Sequence, residues 1–221
     1  MKLLLTSAGI SNESIHKALV DLLGKPVAEA KAVFVPTAIY AIRDGGEIAR
    51  KVITGTIGDP FCQLGWKSLS MLELTALTSM KKELWVPMLY ETDALLVGGG
   101  DCQYLTYWMQ QSGLAELLPS LLQKTVYVGL SAGSMVMTRF GTTYGNHTLP
   151  VESDKSLGLL DFALHPHLDH EGFPDDTLSS LEKLAETLSV PSYMIDDATA
   201  IKVVDGAIDV VSEGHWKLHK K

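Results

Sequence analysis

Along the chain, short apolar runs alternate with stretches in which apolar residues recur every three to four positions. The runs at residues 2–6, 32–36, 68–72, 94–97 and 125–130 are almost continuously apolar, as strands buried on both faces must be. Between them the helical period stands out at 14–23, 45–53 and 103–122, with Gly113 as the expected break in the last. This βαβ succession predicts right-handed crossovers and a mostly parallel central sheet with helices on both faces. The expected fold is therefore a three-layer α/β sandwich whose cleft lies at the carboxyl ends of the strands. From 141 to 174 the periodicity fades and Gly, His, Asp and Ser accumulate, which predicts functional loops around a strand at 160–164. A helix over 175–188 follows, with Asp175 and Asp176 in its first turn, where the helix dipole favours acids. Two β-rich runs, 198–204 and 207–211, flank Asp205-Gly206 and predict a terminal β-hairpin, with a last strand near Trp216 closing the edge. Neither a repeat nor a linker interrupts the pattern, so residues 1–221 read as a single domain.

Composition narrows the function classes. A chain of 221 residues can bury roughly 70% of its unfolded surface, enough for a sizeable core. Its 18 basic and 26 acidic residues give a net charge of −8, which argues against a nucleic-acid or anionic-membrane surface. Cys62 and Cys102 form neither a disulfide framework nor a zinc-ligand spacing, and are expected as reduced, buried thiols. The apolar run after Lys2 is shorter than the h-region of about 7 to 15 residues in a signal peptide. No other run approaches the roughly 20 residues of a membrane span. The expectation is a soluble, cytoplasmic protein, monomeric or homodimeric.

The chemistry concentrates in three segments. In the first, an apolar strand runs into Gly129-Leu130-Ser131-Ala132-Gly133, and a helix-compatible stretch follows. This G-x-S-x-G pattern in a strand-turn-helix context is that of a nucleophile elbow, where the glycines permit a tight turn that presents the Ser131 hydroxyl at the tip of the sheet. A Ser that merely caps the following helix is the plainer reading of the same pattern. In the second, the strand Leu95-Leu96-Val97 ends in Gly98-Gly99-Gly100-Asp101. Its backbone N–H groups, with that of Ala132, suit an oxyanion hole. Neither the G-x-G-x-x-G spacing nor a Walker lysine supports nucleotide binding there. The third is His165-Pro166-His167-Leu168-Asp169-His170, at the end of a predicted strand and so at the cleft edge. It offers a general base for Ser131. A metal site is the weaker reading, because no carboxylate constellation accompanies the histidines. His147 also lies in the loop region, whereas His16, His215 and His219 fall on surface or packing positions.

In this order, strand-GGGD, strand-GLSAGS and a later strand ending in HPHLDH, the chain resembles the dipeptidase E and cyanophycinase family of serine peptidases. The resemblance implies a flavodoxin-like, class I glutamine-amidotransferase-like fold. It also implies Ser131 as nucleophile, His167 as base, and the amides of Gly99 and Ala132 as oxyanion donors, with a small peptide as substrate and no metal or organic cofactor. The family places a relay acid some 15 to 20 positions after the serine, but residues 143–151 hold Asn146 and no carboxylate. Glu152 is the nearest acid and is expected to orient His167, with Asp154, Asp169 and Asn146 as alternatives. Only Arg43, Arg50 and Arg139 are available to hold a substrate carboxylate, and Arg139 is the candidate. A glutamine amidotransferase would need Cys at position 131. The competing readings are an esterase or amidase with the same elbow, and a non-catalytic binding protein on a degenerate peptidase scaffold.

Overall fold

The computed structural model of the protein describes residues 1–56, 61–142, 147–150 and 154–221. Its strands, in chain order, are β1 (Lys2–Thr6), β2 (Lys31–Val35), β3 (Ser68–Met71), β4 (Ala94–Val97), β5 (Val126–Leu130), β6 (Ala163–His165), β7 (Ser192–Ile195), β8 (Thr199–Val204), β9 (Ala207–Ser212) and β10 (Trp216–His219). The helices are α1 (Glu13–Leu23), α2 (Gly45–Thr54), α3 (Leu74–Leu77), α4 (Val86–Tyr90), α5 (Cys102–Gln111), α6 (Leu114–Leu121), α7 (Ala132–Met135) and α8 (Leu178–Thr187). Seven strands form the main sheet in the order β3-β2-β4-β5-β1-β8-β9. The first five are parallel, and the β8–β9 hairpin adds antiparallel to β1.

Alternation along the central strands splits the core in two. Leu3, Leu5, Val33, Val35, Leu95, Val97 and Tyr127 face one layer, where they pack with Leu105, Met109, Leu114 and Leu118 of α5 and α6. Leu4, Ala32, Phe34, Leu96 and Val128 face the other, against Ile15, Leu19 and Leu22 of α1 and Ala49 of α2. Both faces are thus covered, and this is why the strands read as unbroken apolar runs. β3 departs from that reading: as an edge strand it is mostly exposed. The glycine break appears as expected, with Gly113 at φ 78° between α5 and α6.

Two expectations are corrected. The strand at Trp216 does not close the edge of the main sheet; β10 pairs with β7, which also carries β6, in a separate three-stranded sheet. β7 itself, absent from the sequence reading, is a short strand whose Met194 packs with Leu168, Leu181 and Ala185. The helix expected from 175 begins at Leu178, because Thr177 caps it by accepting from the Ser180 N–H at 3.3 Å. Asp175 and Asp176 therefore precede the helix and line a cavity instead. Cys62 and Cys102 are free and buried, and burial pushes both thiols up to about 12. Among the described residues no helix is long and apolar enough to cross a membrane.

Candidate active site

β5 ends at Leu130, and the chain reverses through Ser131 into the single turn of α7. Ser131 has φ 51° and ψ −112°, a conformation that costs a non-glycine residue on the order of 1 to 3 kcal/mol. Neighbouring bonds hold it there. The Ser131 N–H donates to the Thr6 carbonyl at 3.0 Å, and the Ser131 carbonyl accepts from Ser134 and Met135 N–H at 2.8 and 2.9 Å. Tyr127 Oη donates to the Gly133 carbonyl at 2.6 Å, and Ser134 Oγ to the Thr6 carbonyl at 2.8 Å. The turn is so tight that a Cβ on Gly133 would sit 2.1 Å from the Val97 carbonyl oxygen, and one on Gly129 2.6 Å from the Gly133 carbonyl oxygen. Because these are backbone contacts they cannot be relieved by a rotamer change. Gly133→Ala should therefore cost about 3 kcal/mol of folding stability, or prevent folding; urea denaturation checks this, and an unchanged midpoint would contradict it.

Helix α7 has only four residues, so its dipole gives little help to a developing anion. Gly99 abuts Ser131: a Cβ at Gly99 would lie 3.3 Å from the Ser131 Cβ. The flanking amides of the glycine turn are engaged elsewhere, Gly98 N–H with the Val35 carbonyl at 3.0 Å and Asp101 N–H with the Ala38 carbonyl at 3.1 Å. Gly100, at φ 128°, passes so close to the 3₁₀ turn at Thr37–Ala41 that a Cβ would meet the Ala38 carbonyl oxygen at 2.1 Å. Gly99, on the turn after β4, and Ala132, the first residue of α7, thus lie beside Ser131 from two separate segments.

β6 ends at His165, and the chain then turns through Pro166 and His167, whose φ of 61° directs the imidazole to Ser131. His167 Nε2 lies 2.9 Å from Ser131 Oγ. On its other side, Nδ1 lies 2.8 Å from Asp197 Oδ1. Since a carboxylate can only accept, Nδ1 carries the proton and Nε2 accepts from the Ser131 hydroxyl. Phe173 stacks on the same imidazole, with ring centroids 4.2 Å apart and planes 5° from parallel. Ser7, fully buried, ties the group together: it donates to Asp197 Oδ1 at 2.6 Å and accepts from the His167 N–H at 2.8 Å. Burial raises the Asp197 carboxyl, but the hydrogen bonds from His167 and Ser7, with the charges of His167 and His170, outweigh it and hold the group below its ordinary value.

Asp197 is the residue that sequence reasoning missed. Glu152, expected in its place, and Asn146 lie outside the described residues. Asp169 Oδ1 instead accepts from the Leu178 N–H at 3.1 Å, and its Oδ2 lies 3.2 Å from His215 Nε2. Asp154 is exposed. Arg139 pairs with Asp161, with Nε and one terminal nitrogen at 2.9 and 2.8 Å from Oδ1, and lines neither cavity beside His167. Among the described residues no cluster could hold a metal ion.

Two cavities meet at His167 and Phe173. One, of about 370 Å³, is bounded by Ser131 and the glycine turn; the other, of about 460 Å³, reaches Met135, His165, Asp175 and Asp176. His165 is buried there with no partner for Nε2 among the described residues, and desolvation lowers its pKa to about 4. In an unfolded chain it would titrate near its usual value of about 6.5. The neutral form is thus favoured by the fold, so this contribution is present above about pH 6.5 and is lost as pH falls toward 4, up to about 3 kcal/mol. His165→Asn should flatten the stability profile over that window, as measured by urea denaturation at successive pH values; an equally steep profile would contradict the assignment.

The sequence model of peptidase family S51 matches residues 3–211. The chain belongs to peptidase family S51. This S51 chain is accordingly a serine-type peptidase, a hydrolase. Two crystal structures share its fold. A Listeria monocytogenes EGD-e protein described as a peptidase E superposes with a TM-score of 0.69 at 18% identity, over 96% of this chain and 98% of its own. A peptidase from an acI-B1 Actinobacterium gives a TM-score of 0.62 at 16% identity, over 100% of this chain and 87% of its own. No curated protein matches the S51 chain.

Proposed function

We propose that the protein hydrolyses small peptides by acyl transfer through Ser131, with His167 as general base and Asp197 as the acid that orients it. The observation that carries this reading is the continuous chain Ser131 Oγ, His167 Nε2, His167 Nδ1, Asp197 Oδ1, with links of 2.9 and 2.8 Å. As the Ser131 oxygen attacks the scissile carbonyl carbon, its proton passes to Nε2, and the imidazolium so formed is stabilised by the Asp197 carboxylate. The carbonyl oxygen becomes an oxyanion between the Gly99 and Ala132 amides, each contributing on the order of 3 kcal/mol to lowering the barrier. Collapse breaks the C–N bond, and His167 returns the proton to the departing amine. Water then attacks the acyl-serine, again losing a proton to His167 and regenerating Ser131.

A carboxylate in contact with Nδ1 supports catalysis over a non-catalytic binding role on the same scaffold. The test is amine release from a dipeptide panel compared with turnover of p-nitrophenyl acetate. Peptide hydrolysis with a higher kcat/KM than the activated ester is the expected result, and ester turnover without peptide turnover would favour an esterase.

A further inference from the structure

We propose that the cavity beside Ser131 receives the side chain of the residue on the acyl side of the scissile bond, and that the preferred substrates carry a large apolar residue there. This inference rests on the peptidase reading above. Its orientation follows from which groups bound each cavity. The 370 Å³ cavity is bounded by Ser131 and Gly98–Gly100, so a carbonyl placed between the Gly99 and Ala132 amides projects its own residue's side chain into that space. The 460 Å³ cavity touches His167 but neither Ser131 nor the glycine turn. That is the side on which His167 must protonate the departing amine.

The described wall of the acyl-side cavity is built from Ile39 and Ile42 at the 3₁₀ turn, Ile48 and Val52 of α2, Phe61 between α2 and β3, and Leu130 at the end of β5. No lysine or arginine is among its described lining residues, and the only polar side chains there are Ser131, His167 and His170. A carboxylate entering it would lose its hydration without gaining a lysine or arginine: Arg139 is paired with Asp161, Arg50 with Glu47, and Arg43, next to Ile42 in sequence, is almost fully exposed beside Asp44. An aliphatic or aromatic side chain would exchange water for this surface with no such loss. Ile48 and Val52, one helical turn apart on α2, line the cavity and are partly exposed at the edge of the core they pack against, so a change there disturbs the core less than one at a fully buried position.

The test is kcat/KM for Leu-Gly, Met-Gly, Phe-Gly, Asp-Gly and Lys-Gly dipeptides with wild-type protein, Ile48→Arg and Val52→Ala, each corrected for the Ser131→Ala background. Wild-type protein should prefer the apolar series over Asp-Gly by at least about 100-fold. Ile48→Arg should lose most of that preference by gaining on Asp-Gly and losing on Leu-Gly, and Val52→Ala should shift preference toward Phe-Gly. Should Ile48→Arg fail to fold, judged by its circular dichroism, the Val52→Ala shift decides. Ser131-dependent turnover with Asp-Gly best, with no preference, or with an apolar preference that neither variant alters overturns this subsite while leaving the peptidase reading intact. Absence of Ser131-dependent turnover for every peptide overturns that reading, and the subsite with it.

Discussion

Ser131→Ala is expected to lower kcat/KM for peptide hydrolysis by at least about 10⁴-fold, because the residual rate can come only from the oxyanion amides and from binding. The fold should survive the change. Among the described residues the Ser131 side chain makes its hydrogen bond to His167 alone, whereas the turn is held by backbone bonds that alanine retains, from its N–H to Thr6 and to its carbonyl from Ser134 and Met135. The strained φ of 51° persists with alanine, so the thermal midpoint should move by no more than a few degrees. The measurement is amine release at saturating and limiting peptide, beside a thermal melt of each protein. Turnover within tenfold of wild type would remove Ser131 from the mechanism.

A loss of about 10⁴-fold in kcat is likewise expected for Asp197→Asn. The reason is a tautomer, not a lost charge alone. An amide at position 197 can donate to Nδ1, which moves the imidazole proton to Nε2, where it can no longer accept from Ser131. Stability should change with pH in a defined direction. The Asp197 carboxyl is held below its ordinary value, so its contribution is present above the unfolded carboxylate range and is lost as pH falls through the folded value. The gap between wild type and Asp197→Asn should therefore be widest near neutral pH and close in acid. By contrast Glu152→Gln, at the acid that chain order favoured, should leave kcat within about threefold, because Nδ1 of His167 is already held by Asp197. Equal losses in both variants would contradict the assignment of Asp197.

Much of this site was legible because its parts sit at strand ends in a parallel sheet. Unbroken apolar runs fixed β1, β2, β4 and β5, and in a doubly wound sheet the segments following β4 and β5 must share one edge, which brings Gly99 and Ser131 together. Asp197 was not legible by that route. It follows His167 by 30 residues, in the loop between β7 of the small sheet and β8 of the large one. Thr6 at the end of β1 pairs with Leu130 on one side and with Ala200 on the other. The antiparallel strand β8 thus starts where the parallel strands end, and delivers Asp197, two residues ahead of it, to the site. The available signal was the pair Asp196-Asp197 directly ahead of a hairpin strand. Using it required knowing that the hairpin joins β1, which depends on long-range pairing and not on local period. β7 escaped for a related reason: at four residues, it is defined by its pairing with β6 and β10 more than by its own pattern.

The most direct test of the triad is intact-mass spectrometry after reaction with diisopropyl fluorophosphate, followed by peptide mapping. The geometry predicts one adduct, on Ser131, forming at least about 100-fold more slowly in His167→Ala and in Asp197→Asn. An adduct on another residue, or an undiminished labelling rate in His167→Ala, would contradict it.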